Sequence, residues 1–81
     1  MYYINRELGV AINISRSSYF KKFDFEYTMR EDGSIGTSYR IYYSCDGNWE
    51  ELKFLHKSER DAVFASIMDT ISKYNVMEMN V

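Results

Sequence analysis

The sequence predicts an α+β domain in which an antiparallel sheet of four to five strands, arranged as a meander, packs against one C-terminal α-helix. Three observations carry that expectation. Apolar and polar residues alternate with a period of two from Phe23 to Met29 and again from Tyr39 to Ser44, as in strands that bury one face. Asp32-Gly33 and Asp46-Gly47 punctuate this region, and Asp-Gly pairs readily take the left-handed backbone a hairpin needs. After Ser58 the period becomes helical, with Val63, Phe64, Ile67, Met68, Ile71 and Tyr74 on one stripe.

The first fifteen residues place Tyr3, Val10, Ile12 and Ile14 around Gly9. They read as one bent strand with Gly9 at the bend, and a two-strand hairpin is the alternative. Phe23, Phe25, Tyr27 and Met29 then share one face, opposite Lys22, Asp24, Glu26, Thr28 and Arg30, which predicts a half-buried strand with an apolar inner row. Residues 31–36 turn the chain. Tyr39, Ile41 and Tyr43 alternate with Arg40, Tyr42 and Ser44, and a third strand follows from Trp49 to Leu55. Ser58 is placed to cap the helix, with Glu59 and Asp61 favouring its positive N-terminus. Arg60, Asp61, Asp69, Ser72 and Lys73 are expected away from the apolar stripe. The tail from Val76 to Val81 alternates weakly and reads as a late edge strand or a frayed end.

A chain of 81 residues has room for one hydrophobic core, so residues 1–81 are read as one domain. Its 46% hydrophobic and 27% charged content suits a folded domain rather than a disordered one. A domain this small buries only about 60% of its unfolded surface, and pairing as a homodimer would add burial. The apolar runs are far shorter than the roughly 20 residues that span a bilayer. Asn5, Arg6 and Glu7 interrupt any leader-like N-terminus. Cys45 is the sole cysteine and has no disulfide partner, which fits a reducing cytoplasm. The surplus of Ile, Lys, Asn, Tyr, Phe and Met over Gly, Ala and Pro follows AT-rich codons and suggests a low-GC genome such as a bacterial, phage or mobile-element source.

Catalytic groups are sparse. His56 is the sole histidine, and a general base needs an oriented partner and a nucleophile at a workable spacing. Cys45 has no basic neighbour in sequence to activate its thiol. One His and one Cys form no metal-ligand pair, and Gly33-Ser34-Ile35-Gly36 lacks the lysine and helix of a phosphate loop. The expectation is a non-enzymatic protein with no cofactor and no metal.

Aromatic residues make up 17% of the chain, eight of them tyrosines, more than one thin core can hold. Exposed Tyr and Trp favour recognition, because a rigid ring gives apolar area with a polar tip. The first expectation is a protein-binding or inhibitor protein that acts on a host or defence component through Tyr42, Arg40, Tyr19 and Lys22. The rival is single-stranded nucleic acid held by Tyr42, Arg40, Arg16 and Lys21 on a sheet face. Net charge is −2, with +1 on residues 1–40 and −3 on residues 41–81. Asp24 and Glu26, interspersed with the cations, are expected to cancel the field that nucleic acid requires.

Overall fold

The order of elements is β1 (Tyr2–Asn5), β2 (Val10–Asn13), a 3-10 turn (Ile14–Arg16), β3 (Ser17–Thr28), β4 (Ile35–Cys45), β5 (Asn48–Phe54) and α1 (Lys57–Met79). These come from a computed structural model, which describes residues 1–79. The architecture is α+β, but the strands form two antiparallel sheets, β1-β2 and β3-β4-β5, instead of one meander.

The N-terminal stretch is the hairpin, not the bent strand. Leu8 N–H donates to the Asn5 side chain at 3.1 Å and Gly9 N–H to the Arg6 carbonyl at 3.3 Å, which closes the reversal. Tyr3 then pairs with Ile12, so both project to one side, where they are 6% and 2% exposed. Asn13 ends this sheet. Its side chain accepts from Ser15 N–H at 3.2 Å and opens the 3-10 turn that swings the chain away before β3 begins.

β3, β4 and β5 are the expected meander. Cys45 pairs with Asn48 across a two-residue turn in which Asp46 and Gly47 have φ of 52° and 83°, the left-handed pair that matches strand twist. The core joins Ile41, Tyr43 and Phe54 of this sheet to Tyr3, Ile12 and Ile14 and to Val63 and Ile67 of α1.

Register overturns the expected orientation of β3. Lys22 lies opposite Ile41 and Phe23 opposite Arg40, and paired residues share a face. Ile41 is fully buried, so Phe23, Phe25 and Tyr27 belong to the face turned away from α1. The hairpin also outreaches the helix. Every residue from Lys21 to Ile35 is exposed, in a molecule 57 Å long and 25 Å wide.

The helix departs from expectation in three places. It begins at Lys57, with Arg60 N–H donating to the His56 carbonyl at 3.1 Å, so His56 takes the cap position and Ser58 lies inside the first turn. It runs on to Met79 without a late strand; the expectation for Asn80 and Val81 lies outside the described residues. Arg60, expected outside the stripe, is 3% exposed. Its guanidinium donates to Asp24 and to Asp61, each at 2.7 Å, and to the Phe23 carbonyl at 3.1 Å. No helix is long and apolar enough to cross a membrane among the described residues.

Candidate functional site

The face of β3-β4-β5 opposite the helix is built from cross-strand rows. Ser18, Ser44 and Trp49 form one row; Lys21, Tyr42 and Glu51 the next; then Phe23, Arg40 and Lys53; then Phe25 with Ser38 and Tyr27 with Gly36. Pleating places them all on one side.

Tyr19 joins this face through a bulge. The register slips by one residue between Ser18 and Lys21, and Tyr19 has φ 58°. The extra residue turns its ring outward, 76% exposed, with its centroid 6.3 Å from that of Trp49. The next residue, Phe20, points inward and stacks on Tyr43 at 5.1 Å. One bulge thus sends two consecutive aromatic residues to opposite sides.

Further along, Phe23 meets Tyr42 at 5.7 Å, and the Arg40 guanidinium stands 4.3 Å from the Phe25 ring centre, within cation–π range. Tyr27 lies over Gly36, where a Cβ would come 2.6 Å from the ring. Glycine is required there by close approach rather than by backbone angle. Trp49, Phe23, Phe25 and Tyr27 remain 64%, 42%, 40% and 41% exposed.

Three cations share the face with one carboxylate. Arg40 is held by Ser38 Oγ at 3.4 Å, the Tyr42 hydroxyl at 3.5 Å and Glu51 at 3.4 Å, and Lys53 also reaches Glu51 at 3.4 Å. Partial desolvation pushes the Glu51 carboxyl up, but hydrogen bonds from Tyr42 and Lys53 and the charges of Arg40 and Lys53 outweigh it and hold the group below the ordinary carboxylate range. Asp24 and Glu26 occupy the other face by the alternation of β3, and Asp24 is engaged by Arg60.

The structure gathers Tyr42, Arg40 and Lys21 on this face and brings Tyr19 to its end. Lys22 lies on the helix side, 3.6 Å from Asp61 and 5.4 Å from the Phe64 ring centre. Arg16 belongs to the 3-10 turn and pairs with Asp46 at 3.7 Å. Trp49, Phe23, Phe25, Tyr27 and Lys53 are the members that sequence reading missed. Counting register back from the turn would have found them, because a residue opposite Arg40 cannot share the face of Ile41.

Cys45 is half-buried against the core. It and His56 flank opposite ends of β5, a strand about 20 Å long. No group of three His, Cys, Asp or Glu side chains could hold a metal ion among the described residues. The chain matches no protein-family model, no curated protein and no solved structure.

Proposed function

We propose that the protein binds single-stranded nucleic acid on the outer face of β3-β4-β5 and does no chemistry on it. The observation that carries this reading is the segregation of charge. Lys21, Arg40 and Lys53 stand among exposed rings with Glu51 as the sole carboxylate in the strand rows of that face, while Asp24 and Glu26 point the other way. The rings offer stacking platforms that accept any base, and the cations follow the phosphates. Exposed Tyr, Trp and Arg would also suit a protein partner, but a ring in every row with three cations in two adjacent rows favours a ligand that carries both aromatic groups and anions.

Fluorescence anisotropy with a labelled oligonucleotide at low and moderate salt tests the reading. Trp49→Ala and Phe23→Ala should each weaken binding about 5- to 150-fold, the loss of one stacked base. The three cations limit the salt dependence to a log–log slope of about −2. Glu51→Gln removes the opposing charge and should tighten binding. Absence of binding at low salt would overturn the proposal and leave a protein partner as the occupant of this face.

A further inference from the structure

Among the described residues the outer edge of β3 pairs with no strand, since β4 is its sole neighbour. From Lys21 to Thr28 its register is unbroken and the stretch contains no proline. An edge this long and regular is a template for another strand, which proteins usually blunt with prolines, bulges or charges. Here charge guards it, together with the Arg60 side chain on the Phe23 carbonyl, and the pattern of that charge is self-complementary in one register.

We propose that two copies of the chain pair antiparallel through their β3 edges about a two-fold axis at Phe23. With both outer faces kept on one side, an axis at Lys22 or Asp24 sets a like charge against itself, and an axis at Phe25 sets Asp24 against Glu26. An axis at Phe23 sets Lys22 against Asp24 twice, Lys21 against Phe25 twice, and the two Phe23 rings against each other. Opposite charges across a strand pair attract and like charges repel, so the side chains that reject the neighbouring registers select this one. Arg60 donates to Asp24 and to the Phe23 carbonyl. The carbonyl keeps a second lone pair, and Asp24, with its side chain half-exposed, would stand between Arg60 and Lys22 of the second copy. The three-stranded sheets would merge into one of six strands with a continuous outer face. That last consequence rests on the nucleic-acid reading; the dimer does not.

Sedimentation velocity without oligonucleotide, combined with cysteine cross-linking, decides the matter. The chain should sediment at twice its monomer mass, and Phe23→Cys in a Cys45→Ser background should form a disulfide-linked dimer on mild oxidation. Phe25→Cys in the same background should not, because its counterpart lies four residues away along the strand. Lys22→Asp, checked for folding by circular dichroism, should weaken the dimer about tenfold. A monomer at 100-fold dilution below and at the highest soluble concentration alike, cross-linking at residue 25 as readily as at 23, or a dimer that Lys22→Asp leaves intact would each overturn the proposal.

Discussion

Tyr19 holds a left-handed backbone conformation, φ 58°, that costs a non-glycine residue about 1 to 2 kcal/mol. Its ring is exposed and touches Trp49 alone among the aromatic contacts described, so packing does not explain the strain. Recognition does. Tyr19→Gly should raise stability by up to about 1 kcal/mol in urea unfolding and at the same time weaken oligonucleotide binding severalfold; loss of stability with binding intact would show that the ring serves the fold. Arg60 is the opposite kind of residue, buried and structural. Its planar fork reaches Asp24 and Asp61 together, which a lysine ammonium does not reproduce. Arg60→Lys should therefore cost about 1 to 3 kcal/mol, measured by chemical denaturation.

At the scale of elements, burial separates stability from function. Ile67 is fully buried on α1, and Ile67→Ala should cost about 2 to 5 kcal/mol. Phe25→Ala, on the open ribbon, should cost under about 1 kcal/mol while lowering oligonucleotide affinity. The junction of β3 and α1 also carries the acid response. The hydrogen bond from Arg60 pulls the Asp61 carboxyl down, burial opposes it, and the charges of Lys22, Arg60 and Lys57 add to the lowering. A carboxyl depressed in the folded state contributes stability that is fully present above its unfolded value near 4 and is lost as pH falls through the folded value. Urea midpoints should thus decline below about pH 4, and Asp61→Asn should flatten that decline. The strands, turns and helix stripe were legible in the sequence because each has its own period and punctuation. Facing was not. Amphipathic alternation marks a buried row only where something covers it, and the helix stops short of the ribbon that holds Phe25 and Tyr27. Arg60 was legible in principle, since it leads Val63, Phe64 and Ile67 at the spacing of the stripe, but a charge there reads as solvent-facing until its two carboxylates are seen.

The whole molecule is elongated, 57 × 25 × 19 Å, because one helix and a two-stranded sheet cover only the base of a long hairpin. Sequence composition alone gives a nearly neutral chain of net charge −2. The fold sorts that charge by face, leaving cations and rings outward on β3-β4-β5 and sending Asp24 towards the helix. The candidate site is therefore a product of strand register, and the cancellation of charge expected from sequence does not hold on that face. The most direct measurement is the emission of Trp49, the sole tryptophan, during titration with a single-stranded oligonucleotide. Stacking of a base on Trp49 should quench and saturate that emission, and Arg40→Ala should shift the titration to higher concentration. Unchanged emission with saturating oligonucleotide at low salt would contradict the claim that this face receives a nucleic-acid strand.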